Sequence, residues 1–262
     1  MRDALSLEES FRVLEDRCDG NEAAEQALAR VRTLLREGAN RHQCSSVSTD
    51  STIRRISTGI LAFDRVLGGG GLVEGATVLF AARSDRATTE AATAWTLQIL
   101  DGLGEHCLYV TGEETREQVT ATAKRLGVLS NRIYVFKETR LGEILEHMRS
   151  SNARVVVIDS IQSLACEGVR GQAGSMDQLK ECTERLVQHA KMLKISLWLI
   201  GYVAGDGSIL GPVSFEHVVD VVLELVQDSR GHGQVIRSRK NRFGPNNEAA
   251  RFRKVIEEFG DV

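Results

Sequence analysis

The sequence predicts an α/β fold with a mostly parallel sheet flanked by helices. Three observations carry this. Short, unbroken, β-branched runs such as "VVVID" (Val155–Asp159) suit strands buried on both faces. These runs alternate with helical segments across short connections, the pattern of parallel strands joined by crossovers. After Gly211 the pattern turns strand-rich, which predicts antiparallel strands added at one edge.

Residues 5–37 read as two amphipathic helices. "SLEE" at Ser6–Glu9 has the spacing of a capping box, with Leu7, Phe11 and Leu14 on one face. The second helix aligns Ala24, Ala27, Val31 and Leu34 and stops near Gly38. The expected organisation is therefore a helical hairpin at 1–38, a polar linker at 39–52 and a core domain at 53–262. A hairpin cannot bury its apolar stripe alone, so it serves either as a structural appendage or as a docking element for a partner.

Within the core, strands are expected at Thr77–Phe80, Cys107–Thr111, Arg132–Phe136, Val155–Ile158 and Ile195–Ile200. The helices between them cover roughly 88–103, 115–126, 140–150 and 175–193. The tail reads as "VVDVVLELV", "GQVIRSRKN" and "EAARFRKVI". No apolar run approaches the roughly 18–20 residues needed to span a bilayer, and the N-terminus is too acidic for a signal peptide. Five scattered cysteines without a C-x-x-C pair exclude a cysteine-rich zinc ribbon and fit reduced thiols in a cytoplasm. His106, His147, His189 and His217 lack metal-ligand spacing. Ser160 lacks a nucleophile-elbow context.

Ligands of open α/β sheets collect at the carboxyl ends of the strands. Here those positions are the segment after Phe80, Gly112–Glu114, Asp159–Ser160 and Gly201–Tyr202. Two carboxylates and an aspartate around a polar loop suit Mg²⁺ and a nucleotide, although an Asp at a strand end is often just a helix cap. The net charge of −3 gives no global signal for nucleic acid, so such a site must be local. Arg237, Arg239, Lys240, Arg242, Arg251, Arg253 and Lys254 form one basic stretch, with Glu248 its only acid. Period-2 spacing aligns several of these on a strand face, which suits phosphate-backbone contacts; the alternative is a solvated edge strand that resists aggregation. Phe243 is a base-stacking candidate or a buried aromatic. The glycine-rich segment Cys166–Gln178, with Arg170 its only cation, is a weaker candidate.

"RISTGILAFDRVLGGGGLVEG" (Arg55–Gly75), "LYVTGEET" (Leu108–Thr115), "VVVIDSIQSL" (Val155–Leu164) and "KNRFG" (Lys240–Gly244) resemble the bacterial RadA/Sms family over about residues 53–258. The resemblance implies a RecA-like P-loop NTPase core acting on DNA in recombination and repair. It implies Asp159 as the strand-end aspartate near Mg²⁺ and Glu113 as the residue that polarises the attacking water. Lys240, Asn241, Arg242, Phe243 and Gly244, with Arg237 and Arg239, are the expected DNA-binding or inter-subunit residues of a ring. The family's cysteine zinc finger and its protease-like C-terminal domain have no counterpart here. One extra residue sits in the glycine run Gly68–Gly71, and the family segment "GHVTK" reads "GYVAG" at Gly201–Gly205.

The phosphate loop departs most. Aligned on G-x-x-x-x-G-K-[ST], Ala82 and Ala87 occupy the glycine positions, Thr88 the lysine position and Thr89 the Ser/Thr position. Alanine disfavours the positive φ that a phosphate cradle needs. Losing the lysine removes a charge-assisted contact of about 1.5–3 kcal/mol. Asp85 adds a repulsion of roughly 4 kcal/mol per charge pair at about 4 Å and an effective dielectric near 20. Arg83 and Arg86 flank Asp85 and offset part of that, leaving open a reshaped anion site.

The leading expectation is a non-hydrolysing, DNA-associated or partner-regulating subunit. It would bind single-stranded DNA and join a homo-oligomer or a hetero-ring with an active relative, away from membranes. No cofactor is expected. ATP and Mg²⁺ enter only under the rival reading, a divergent ATPase using Glu113, Asp159 and Thr89. A third reading is a structural assembly protein without DNA binding.

Overall fold

The computed structural model describes residues 53–83, 85–128, 130–203, 214–228 and 233–252. These belong to the unit that runs from Ile53 to Val262. The expected N-terminal hairpin, the linker at 39–52, and Arg253 and Lys254 lie outside the described residues.

The eight-stranded main sheet contains β3 (Thr77–Arg83), β4 (Cys107–Thr111), β5 (Ile133–Lys137) and β6 (Val155–Asp159), with β7 (Ser196–Val203), β8 (Val221–Gln227), β9 (Gln234–Asn241) and β10 (Ala249–Phe252). Its order is β10-β9-β8-β3-β7-β6-β4-β5. From β8 to β5 all neighbours are parallel, and β8–β9 and β9–β10 are antiparallel. This is the predicted mostly parallel sheet with an antiparallel edge. Two short strands missed by the sequence reading, β1 (Arg55–Ile56) and β2 (Leu72–Val73), pair with each other. They bracket the short helix α1 (Leu61–Val66) and the glycine run.

The connections are α2 (Arg86–Leu103), α3 (Arg116–Arg125), α4 (Leu141–Ser150), α5 (Met176–Leu193) and α6 (Ser214–Val218). Two of the helices, α2 and α3, carry clear local start signals. Asp85 caps α2, and Gly104 closes it in the left-handed conformation at φ 64°. Thr115 and Gln118 form a reciprocal capping box on α3. On one side of the sheet Phe63, Ala92, Trp95, Leu100 and Val119 bury against Val78, Phe80 and Trp198. On the other, Leu141, Ile144, Leu179, Leu186 and Ala190 bury against Val110, Ile158 and Leu199. Helices thus cover both faces, which explains strands without polar alternation.

No helix among the described residues is long and apolar enough to cross a membrane. Cys107, Cys166 and Cys182 are free and buried. Burial pushes the thiols of Cys107 and Cys182 up to about 12, so both are unreactive core residues.

Candidate nucleotide and nucleic-acid site

The strand expected to end at Phe80 continues through Ala81 and Ala82 to Arg83. It is paired to β7 as far as Arg83↔Val203 and to β8 as far as Ala82↔Leu225. The helix then starts at Arg86, two residues before the lysine position of the motif. Pairing on both sides holds Ala81 and Ala82 fully buried in the sheet, so only residues 84 and 85 connect the two elements.

Asp85 occupies the helix entrance. Its Oδ1 accepts the Thr88 backbone N–H at 3.0 Å and the Thr88 hydroxyl at 2.9 Å. Its Oδ2 lies 3.6 Å from Arg83 Nε, an exposed pair. The Thr89 hydroxyl, whose position in the motif faces a metal ion, donates to the Asp85 carbonyl at 2.9 Å. A carboxylate of the chain thus takes the Thr88 N–H, one of the first-turn donors that attract an anion at a helix N-terminus. The pattern Asp-x-x-Thr was legible as an N-cap, a signal that the alignment to a phosphate loop obscured.

The strand-end carboxylates are also engaged. Asp159 is buried, and its Oδ2 accepts the Thr93 hydroxyl at 3.0 Å and the Tyr109 hydroxyl. Burial raises its carboxyl to about 6, the two hydrogen bonds opposing the rise. Burial beside Asp159 raises the Tyr109 phenol far above its ordinary range, so Tyr109 is a permanent donor. Glu113 Oε1 accepts the Ser160 hydroxyl at 2.6 Å and the Tyr202 hydroxyl at 3.0 Å. Burial, followed by the charges of Asp159 and Glu113, likewise raises the Tyr202 phenol. Gly112 is required here, because a Cβ would stand 1.9 Å from Ser163 Oγ. Partial burial and then Glu90 and Glu113 raise the Glu114 carboxyl, so negative charge gathers at this end of the sheet. Tyr202 stands at a strand end the sequence singled out, whereas Tyr109 and Thr93 are partners it does not reveal, since they lie 50 and 66 positions from Asp159.

The basic stretch folds into β9 and the turn after it. A bulge opposite Val222/Leu223 breaks the strict period of two, so Ile236, Ser238 and Asn241 are buried while Arg237 and Arg239 are exposed and Lys240 is half-buried. Arg237 Nε pairs with Glu224 Oε2 at 2.7 Å, and Arg239 with Glu216 at 3.7 Å. Lys240 Nζ donates to the carbonyls of Glu216 (2.5 Å), Val219 (2.7 Å) and His217 (3.3 Å), closing the C-terminal end of α6. Burial, then Arg242, lowers the affinity of that amine for its proton. Arg242 donates to Asp220 at 2.8 Å, and Arg251 pairs with Asp228 at 3.5 Å. Burial alone would raise the Asp220 carboxyl, but hydrogen bonds from the Thr77 backbone and hydroxyl and from Arg242 hold it low.

Phe243 is partly buried against the core. Asn241 Oδ1 accepts the Phe243 N–H at 2.8 Å. Gly244 packs on Gly68, leaving only 2.5 Å between an added Cβ and the Gly68 Cα.

Residues 56–141 match the family described as "ATPase: KaiC". The chain is 37% identical over 216 residues to "DNA repair protein RadA" of Pseudomonas aeruginosa, covering 82% of this chain and 46% of that protein. It is 34% identical to the RadA of Haemophilus influenzae, with 79% and 44% covered. For the RadA of Streptococcus pneumoniae it is 33% identical, with 88% and 54% covered.

The chain belongs to the RadA/Sms family. It spans about half the length of these relatives. Two of the stretches that carry the RadA/Sms resemblance meet in space. Arg55, which opens the first, donates to the Phe243 carbonyl of the last at 2.6 Å and to the Leu67 and Gly71 carbonyls, each at 3.3 Å. The glycine run of this RadA/Sms member, Gly68–Gly71, has φ between 82° and 98°, a region side chains disfavour. The RecA-like core thus uses these motifs first as architecture.

Proposed function

We propose that this RadA/Sms family member acts in DNA recombination and repair without hydrolysing ATP, as a DNA-associated or partner-regulating subunit in the cytoplasm. The observation that carries this reading is Asp85, whose carboxylate accepts the Thr88 N–H and hydroxyl where a triphosphate would need free donors and a lysine. The donor set does not fit a nucleotide. Ala82 and Ala87 replace the cradle glycines, the strand runs on to Arg83, and the acids Glu90, Glu113, Glu114 and Asp159 gather nearby. Bringing a triphosphate into this field costs several kcal/mol, enough to carry a micromolar site beyond millimolar.

DNA as a partner comes from the relatives, each named a DNA repair protein. The exposed guanidiniums of Arg237 on β9 and Arg242 just after it, each already paired with a carboxylate, are the candidate phosphate contacts, with single-stranded DNA the expected form. A ring shared with an active relative would let this chain contribute surfaces without a nucleotide of its own.

Phosphate release with and without single-stranded DNA tests the reading. Turnover is expected to equal that of Glu113→Gln under both conditions. DNA-stimulated turnover abolished by Glu113→Gln would replace it with the divergent ATPase.

A further inference from the structure

Strand β5 ends the main sheet, and its outer side pairs with no other described strand. Two ladder bonds establish which of its backbone groups face outward. Cys107 N–H donates to the Arg132 carbonyl at 2.8 Å, and Glu138 N–H donates to the Thr111 carbonyl at 3.2 Å. Backbone groups in a parallel ladder alternate in direction. Residues 132, 134, 136 and 138 therefore face β4, and Ile133, Val135 and Lys137 present their N–H and C=O groups outward. The edge has no proline and no bulge, Lys137 is its charged residue, and Tyr134 is 57% exposed upon it.

A groove lies on each side of this strand. On the α3 side a cavity of about 560 Å³ is lined by Arg116, Glu117, Thr120, Lys124, Ile133 and Val135. Lys137 faces the same side and, with Arg116, holds the Glu117 carboxyl below its ordinary value, after hydrogen bonding at the head of α3. Three cations therefore oppose one acid, and Glu138 is already committed to Arg140 at 2.9 Å. On the other side a cavity of about 300 Å³ is mostly apolar, lined by Cys107, Leu108, Tyr134, Ser151, Asn152 and Ala153, with His106 stacked on Tyr134 at 6.2 Å.

We propose that the β5 edge receives an added β-strand from a partner protein, with acidic side chains on one face of that strand and apolar side chains on the other. Side chains of a strand alternate between faces, so one extended segment fills both grooves while its backbone pairs with Ile133, Val135 and Lys137. Charge complementarity selects the acidic face, because the groove on the α3 side holds a surplus of cations. The proposal concerns the edge farthest in the sheet from β10 and is independent of nucleotide.

The test measures fluorescence anisotropy of capped, labelled octapeptides with the full chain: one alternating valine and glutamate, the other valine and lysine. Saturable binding of the glutamate peptide is expected, at least ten-fold tighter than the lysine peptide. Val135→Pro removes one outward donor while leaving the β4 ladder intact, and is expected to abolish binding. Lys124→Glu, on the exposed face of α3, is expected to weaken the glutamate peptide at least ten-fold and to favour the lysine peptide. If Val135→Pro fails to fold, Lys124→Glu alone decides. Equal binding of the two peptides, no saturable binding to the wild type, or indifference to Lys124→Glu would overturn the proposal. So would a wild-type dimer that refuses both peptides and dissociates on Val135→Pro, which would assign the edge to a second copy.

Discussion

Replacing Asp85 with alanine removes the cap of α2 and leaves the Thr88 N–H without its acceptor. The expected loss is about 1 kcal/mol in a urea titration, without any gain in nucleotide affinity, since Thr88 still stands where a lysine is needed. Asp159 makes a different prediction, about pH. Its folded carboxyl titrates near 6, above the ordinary 3.8, so the fold favours the protonated form. Between those values the unfolded chain has lost the proton and the folded chain retains it. Stability contributed by this group is therefore full below about pH 4 and lost as pH rises through 6. The span corresponds to a penalty on the order of 3 kcal/mol. Asp159→Asn cannot ionise, so the difference in unfolding free energy between wild type and variant should shift across pH 4–6 in that direction. A constant difference would contradict the burial argument.

At the scale of elements, β9 and its turn show why a run of cations in a sequence is not yet a binding face. Glu224, Asp220 and Glu216 neutralise Arg237, Arg242 and Arg239 from 13 to 23 positions away, beyond any local pattern. Lys240→Ala takes the side-chain donor from the Glu216 and Val219 carbonyls at the end of α6, while Arg242 still serves the His217 carbonyl, and is expected to cost about 1–3 kcal/mol of stability. Denaturation curves should therefore accompany any DNA measurement on that variant. Arg237→Gln and Arg242→Gln leave the buried carboxylates of Glu224 and Asp220 without their guanidinium partners and need the same denaturation control; they should weaken single-strand binding and flatten its salt slope if these guanidiniums contact phosphate. Gly244→Ala forces a Cβ against the Gly68 backbone and should destabilise by more than 2 kcal/mol, because neither backbone is free to retreat.

The same scale shows what the sequence made legible. Cys107–Thr111 was read to the residue, because an unbroken apolar run with polar flanks has only one way to lie in a covered sheet. The helix ends were close, because Gly104 and Thr115 are strong local signals. The tail of β3 was missed since Ala81, Ala82 and Arg83 have little strand preference of their own; β7 and β8 hold them there. The bulge in β9 and the short strands around the glycine run leave no periodic trace. At the site the candidate carboxylates and Tyr202 were legible from the strand ends, whereas Tyr109 and Thr93 depend on strand order and were not.

Across the whole molecule the sheet separates two chemistries. The carboxyl ends of the central parallel strands gather acids around hydroxyl donors, and the antiparallel edge gathers cations around acids. In the proposed reading, the first arrangement engages with the chain's own hydroxyls the carboxylates that a metal-bound nucleotide would need. The most direct measurement is a calorimetric titration of the full chain with ATP and Mg²⁺ up to millimolar concentration, beside Asp85→Gly with Thr88→Lys. No saturable heat is expected for the wild type, with weak binding appearing once the carboxylate is removed and the lysine supplied. Saturable binding by the wild type would contradict the account.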